Sequence, residues 1–368
     1  MMTAIIILTL FSLVLFGGHF FVGFSFIKFF GISSDSHQIF VYAALFILSI
    51  SFIALSAILH WKNGAFLNSL YYISAFWIGL ALYLFLAVIL GWLVIFASRQ
   101  AGVGINTFAL GTILTVLSLV IAIYGAWNAT DLKLKTISVE IPGLPAEWKG
   151  KTAIQISDTH LGAINGAAFL EKIVKIANEQ KPDLIFITGD LFDGSTRNFD
   201  ELAKPLNGLH APWGIYFVTG NHESYSGLSQ VEEALSKTPV KILNDESVEV
   251  SGVQLIGIAY PAEGLIKEMA PIFASLKNSG PSILLYHDPM PRYLGEIKKA
   301  GVSLMLSGHT HGGQVFPANI ITRLIYKGMD YGLRKDGNFS LYTSSGAGTW
   351  GPPLRIFTQA EIVKIIFD

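Results

Sequence analysis

The stretch Leu184-Ile185-Phe186-Ile187-Thr188-Gly189-Asp190-Leu191-Phe192-Asp193 decides the fold of the larger part of this 368-residue chain. Four consecutive apolar residues without alternation read as a short strand covered on both faces, and Gly189-Asp190 ends it in a turn. Working outward, 153–156, 215–218, 255–258, 283–286 and 304–306 are apolar runs of the same kind. Between them, 169–177 and 266–276 space their apolar residues as helices do. This order predicts an α/β or mixed α and β (α+β) domain, and ~240 residues suffice to bury its core in one piece. Neither an internal repeat nor a low-complexity tract interrupts it.

A different solvent has shaped the residues before it. The chain is 52% hydrophobic and only 14% charged, with a mean hydropathy of +0.52, too apolar for an ordinary soluble protein. Lys28, Asp35, Lys62 and Arg99 are the only charged side chains before position 128. Four runs free of charge, 4–27, 39–59, 70–97 and 107–127, each reach the ~20 residues that a bilayer-spanning helix needs. The first is too long for the apolar core of a cleavable signal peptide, and no basic residue precedes it. Residues 1–127 are therefore expected as a four-helix transmembrane anchor and 151–368 as a soluble domain. The segment 128–150 is read as a linker with the first strand, from the alternation Leu132-Lys133-Leu134-Lys135-Thr136-Ile137.

Four spans put both ends on one side with Lys62, Lys133 and Lys135, against Lys28 and Arg99 opposite. That bias leans slightly toward a cytoplasmic domain, while Lys28 after the first helix pulls the other way. His19 has no acidic partner in any span, so a hydrogen bond to a neighbouring helix is its expected role. Without intramembrane charge or broken helices, the spans read as an anchor and not as a transporter. A net charge of −1 argues against a nucleic-acid partner, and the lack of cysteine excludes disulfides, thiolate metal sites and a cysteine nucleophile.

Ligand-type residues gather where the apolar runs end. They are Asp158-Thr159-His160, Gly189-Asp190 with Asp193, Gly220-Asn221-His222-Glu223, His287-Asp288 and Gly308-His309-Thr310-His311. Residues two apart at a strand end can project to the same side, which pairs Asp158 with His160 and His309 with His311. Imidazoles with carboxylates suit manganese, iron or zinc, and carboxylates brought together repel unless cations sit between them. A dinuclear centre satisfies both. Taken singly, Asp158 or Asp190 would be a turn former and His287 a satisfied buried histidine. Five such stretches in order outweigh that reading. Asp193, Glu223 and Asp288 are weaker candidates, each able to serve only a turn or a supporting hydrogen bond.

These motifs, D-x-H, G-D-x-x-D, G-N-H-E, a lone His and G-H-x-H, resemble the signature of the calcineurin-like metallophosphoesterases. The tail Ser344-Ser345-Gly346-Ala347-Gly348-Thr349-Trp350-Gly351-Pro352-Pro353-Leu354-Arg355 is similar to a bacterial membrane-associated subgroup of that family. The resemblance implies a four-layer α/β/β/α sandwich as the catalytic domain and a metal-dependent hydrolase acting on phosphate esters or pyrophosphate bonds. It implies two divalent metal ions, with manganese favoured over iron, zinc or magnesium. Asp158, His160 and His311 would hold one ion, Asn221, His287 and His309 the other, and Asp190 would bridge them. His222 would face the phosphate as the catalytic residue. Arg197, Arg334 and Arg355 are candidate phosphate clamps.

The expected partners are the lipid bilayer, in a bacterial plasma membrane, and a phosphorylated small molecule or lipid-linked phosphate. Two other outcomes stay open from the sequence. One is a catalytically weak scaffold on the same fold. The other is a UDP-2,3-diacylglucosamine pyrophosphatase of lipid A synthesis, which the resemblance also reaches.

Overall fold

A computed structural model describes residues 2–62, 64–195, 198–262, 265–274 and 280–368. The chain divides into two compact units, Met1–Trp127 with Gly351–Leu354, and Asn128–Trp350 with Arg355–Asp368. The first is built on helices α1 (Met2–Phe29), α2 (Asp35–Leu59) and α3 (Ala65–Gln100), and on α4 (Thr107–Thr130), whose last turn falls in the second unit. All four are long and apolar enough to cross a membrane. Even α4, with 24 residues, extends about 36 Å at 1.5 Å per residue, against a hydrocarbon layer of ~30 Å.

Val22, Phe29, Leu84, Val88, Ile95 and Leu114 form the buried seam of the bundle. Several polar atoms inside it are paired, as a low dielectric favours. His19 donates through Nδ1 to the Leu15 carbonyl at 2.7 Å and accepts from Trp77 Nε1 at 3.0 Å, which is the helix-to-helix role expected of it. Trp92 Nε1 donates to Ser25 Oγ at 2.9 Å. Gly79 on α3 leaves room for Leu354, whose side chain a Cβ there would strike.

The second unit continues with β1 (Lys133–Val139), β2 (Thr152–Ile156), α5 (Ala167–Glu179), β3 (Leu184–Ile187), α6 (Phe199–Ala203), β4 (Ile215–Phe217), α7 (Asn221–Ser226), α8 (Leu228–Ser236) and β5 (Val240–Ile242). A second run follows, with β6 (Glu246–Val250), β7 (Val253–Ile258), α9 (Ala270–Ala274), β8 (Ser282–Tyr286), α10 (Pro291–Lys299), β9 (Leu304–Ser307), α11 (Ala318–Ile325), β10 (Gly332–Asp336), β11 (Phe339–Thr343) and β12 (Glu361–Phe367). One sheet has the order β1-β12-β2-β3-β4-β5, the other β10-β11-β9-β8-β7-β6. Strands β2 to β5 pair in parallel, as do β7, β8, β9 and β11.

Alternate side chains of each central strand feed different cores. Ala153, Phe186, Leu255, Leu285 and Leu306 meet between the sheets. Ile154, Ile185 and Ile187 pack outward on Leu170 and Ile173 of α5 and Leu235 of α8, while Ile256, Leu284 and Met305 pack on Leu294 and Ile297 of α10. The result is a helix, sheet, sheet, helix sandwich.

The segment 128–150, read as a linker with the first strand, contains β1, which pairs with β12, and Trp148, which is fully buried. One expectation changes. The helix read over 266–276 is shorter: among the described residues only Ala270–Ala274 is helical, and 275–279 lie outside them.

Candidate metal centre

Parallel strands of both sheets end on one side, and the ligand-type residues leave from those ends. Asp158 and His160 follow β2, Asp190 follows β3, Asn221 opens α7 after β4, His287 follows β8, and His309 and His311 follow β9. Buried Gln155 of β2 ties the two sheets together there, donating to Thr188 Oγ1 at 3.0 Å and to the Ser307 carbonyl at 2.9 Å.

Asp158, His160 and His311 each bring a ligating atom within 4.8 Å of the others, and so do Asp190, His287 and His309. Asp190 Oδ2 lies 3.8 Å from His160 Nε2 and 3.2 Å from His287 Nε2, so one carboxylate oxygen reaches both groups. His160 Nε2 faces His311 Nε2 at 2.9 Å, and Asp158 Oδ1 lies 3.5 Å from the latter. His309 Nδ1 lies 2.8 Å from Asn221 Oδ1 and 3.3 Å from His287 Nε2.

Lone pairs this close repel unless a proton or a cation lies between them. Burial removes most of the protons: it holds His160 and His311 well below the usual imidazole range and lowers His309 to about 3. Burial alone would raise Asp190, yet the His287, His222 and His160 imidazoles hold it well below the usual carboxylate range. Burial would lower His287 too, but Asp190 beside it lifts it to about 10. Neutral His160, His309 and His311, with His287 sharing its proton with the Asp190 carboxylate, are a donor set that fits divalent transition-metal cations able to take that proton's place.

Supporting hydrogen bonds aim these side chains. His287 donates through Nδ1 to the Thr188 carbonyl at 2.7 Å, leaving Nε2 for the cluster. The His309 backbone N–H donates to both Asp158 oxygens at 2.9 and 3.1 Å. Glu223, fully buried, accepts from the backbone N–H groups of Asp190, Gly220 and Phe192 at 2.9, 2.7 and 3.1 Å. It therefore clamps two ligand loops, a role richer than a local turn.

The backbone contributes as well. Asp158, His160, Asp190, His309 and His311 all have φ between 47° and 71°, a region that side-chain-bearing residues seldom enter and that clusters at functional sites. Gly220 and Gly308 allow close approach: a Cβ at Gly220 would strike Asp190 Oδ1, and one at Gly308 would strike Asp158 Oδ2 and Ser157 Oγ.

His222 is half-buried beside this cluster and falls in a third close group with His160 and Asp190. A carbonyl can only accept, so its 3.0 Å contact with the Asp193 carbonyl makes Nδ1 the donor and leaves Nε2 available. Its ring stands edge-on to His160 at 4.6 Å and to the exposed Trp350 at 6.5 Å.

Two of the three candidate arginines lie among the described residues. Arg355 is fully buried, and Nη2 donates to the carbonyls of Ser345, Gly346 and Gly348 at 2.6, 3.1 and 2.6 Å. Its guanidinium lies beside the candidate cluster, with Nη2 3.4 Å from His311 Nδ1. Arg334 is exposed and lines a separate hollow with Lys298, Arg323 and Lys327. Arg197 lies outside the described residues. Sequence reasoning also missed Gln155, a lone polar residue in an apolar strand that carried no motif.

Residues 151–313 match the family described as calcineurin-like phosphoesterase. An uncharacterized metallophosphoesterase of Aquifex aeolicus is 32% identical over 258 residues, covering 68% of this chain and 97% of the relative. The chain belongs to the calcineurin-like phosphoesterase family. Other family relatives include an uncharacterized metallophosphoesterase of Campylobacter jejuni, 37% identical over 63% of this chain and 62% of the relative. A transmembrane protein with metallophosphoesterase domain from Danio rerio is 32% identical over 73% of this chain and 65% of the relative. This family member thus spans somewhat under two thirds of the length of these two relatives.

Proposed function

We propose that this family member is a membrane-anchored, two-metal phosphoesterase that hydrolyses a phosphate ester or pyrophosphate bond, with a lipid-linked phosphate as the favoured substrate class. The observation that carries it is the Asp190 carboxylate, which reaches His160 on one side and His287 on the other. Asp158, His160 and His311 would hold one ion, and Asn221, His287 and His309 the second, with Asp190 shared between them. When bound, two divalent cations acidify water and neutralise phosphoryl oxygens, the chemistry of two-metal hydrolysis, with manganese the first candidate.

The chain's own residues supply the rest. Asp190 is held well below the usual carboxylate range by its imidazole neighbours, which favours its ionised form. His222, oriented by the Asp193 carbonyl, has Nε2 free to hydrogen-bond a phosphoryl oxygen or to protonate the departing oxygen. Trp350, exposed beside it, offers an apolar wall at the same mouth. The four apolar helices supply the anchor and hence proximity to lipid-linked phosphates.

Full-length protein in detergent, loaded with manganese, should hydrolyse at least one of a generic phosphodiester, a phosphomonoester and a UDP-lipid. Turnover of none, in a sample whose elemental analysis gives two ions per chain, would reject the enzymatic reading in favour of a scaffold.

A further inference from the structure

Helix α11 is built inside out. Its small and polar side rests on the metal loop: Asn319 packs so closely on Gly313, φ 77°, that a Cβ there would strike the Asn319 backbone. Its aliphatic side, Ile320, Ile321, Leu324 and Ile325, is exposed, Leu324 by 73%. Phe316, just before the helix, stands edge-on to Phe357 at 5.8 Å, and Phe357 is 79% exposed with φ 63°. Burying a helix by its polar face while offering aliphatic and aromatic side chains to water is unfavourable unless something apolar covers them.

Two further observations say what covers them. Phe357 lies in the loop to which the last turn of α4 is pinned, since Asn128 Nδ2 donates to the Arg355 and Thr358 carbonyls, both at 2.9 Å. The apolar patch therefore adjoins the point where the fourth candidate span enters the domain. The C-terminal end of α11 opens on a hollow of about 400 Å³ lined by Arg323, Lys327 and Arg334 together with the Lys298–Asp336 ion pair. None of these three is paired with a carboxylate among the described residues. Apolar side chains flanked by unpaired cations are the pattern of a helix lying in a bilayer interface, with phosphate headgroups meeting the basic rim.

We propose that α11, with Phe316 and Phe357, is a second membrane contact of the domain, its aliphatic face sunk among the acyl chains and Arg323, Lys327 and Arg334 held against anionic lipid phosphates. The surface holds the loop carrying His309 and His311 against the lipid through Gly313. It does not depend on the metal ions or on the reaction assigned to them.

The chain has no native cysteine, so single-site probes can be placed cleanly. Full-length Leu324→Cys, Phe357→Cys and Glu233→Cys proteins, the last on α8 beside the sheet edge opposite β1, would carry a bimane label in phosphatidylcholine and phosphatidylglycerol vesicles. All three positions are exposed, so labelling leaves the core untouched. The expected result is strong quenching at 324 and 357 by nitroxide-bearing lipid with several-fold protection from iodide, and the reverse at 233. Adding Arg323→Glu, Lys327→Glu and Arg334→Glu together to Phe357→Cys should lower its quenching by lipid several-fold. Iodide quenching at 324 and 357 as strong as at 233 would overturn the proposal. Protection from both quenchers with energy transfer between labelled copies would also overturn it, and would assign the face to self-association.

Discussion

Gln155 Nε2 donates to the Ser307 carbonyl at 2.9 Å, one buried bond that joins β2 of the first sheet to β9 of the second at the ends where the ligands leave. The same amide holds Thr188 Oγ1, and the Thr188 carbonyl in turn aims His287. Gln155→Leu should leave the helical and sheet content intact by circular dichroism while weakening metal affinity about tenfold, the lower end of what supporting partners of a metal site contribute. Isothermal titration with manganese reads this directly, and wild-type affinity would refute it.

Glu223 makes a sharper case, because three backbone donors converge on one carboxylate. Replacing it by glutamine turns an NH2 toward N–H groups that then lack an acceptor. Leaving such buried donors unmet costs about 1–3 kcal/mol. Denaturant melts of Glu223→Gln should register a loss of that size, with both ligand loops loosened; an unchanged midpoint would mean the clamp is dispensable.

Two glycines should respond with opposite signs. A methyl at Gly220 strikes Asp190 Oδ1, so Gly220→Ala is expected to lose both ions on gel filtration, as counted by elemental analysis. Gly295 lies inside α10 with nothing within 4 Å of its Cβ position. Gly295→Ala should keep its metal and gain up to about 1 kcal/mol from helix propensity. Equal metal contents in the two variants would contradict the close-approach argument.

His222 separates binding from turnover. His222→Ala should retain two ions yet lose about a hundredfold or more in rate, the usual cost of removing one preorganised donor to developing charge. Asp190→Ala should lose the ions themselves. Wild-type turnover in the first variant, or full metal content in the second, would break the division of roles.

The central strands and the residues of the candidate cluster are readable in sequence because both carry strong local signals: unbroken apolar runs, and His or Asp placed where those runs stop. What stayed hidden was set by distant contacts. β10 reads as a polar segment, since Gly332–Asp336 is largely exposed at a sheet edge. Arg355 carries the usual mark of a surface cation, and only the carbonyls of Ser345, Gly346 and Gly348 explain why it is buried. The aliphatic stripe of α11 has the spacing of a core face, yet the structure turns it outward. The left-handed φ angles of the ligands are equally invisible, since Asp and His enter that region without a glycine to announce it.

The place of β12 sets a timetable for assembly. It is synthesised after the other five strands of its sheet, yet it lies between β1 and β2, pairing with both. A nascent chain therefore has its four apolar helices made long before the sheet bearing Asp158 and Asp190 can close. Until Glu361–Phe367 leaves the ribosome, Asp158 and Asp190 lack their final frame, so a ribosome-stalled or prematurely terminated product would carry the four helices without an assembled cluster.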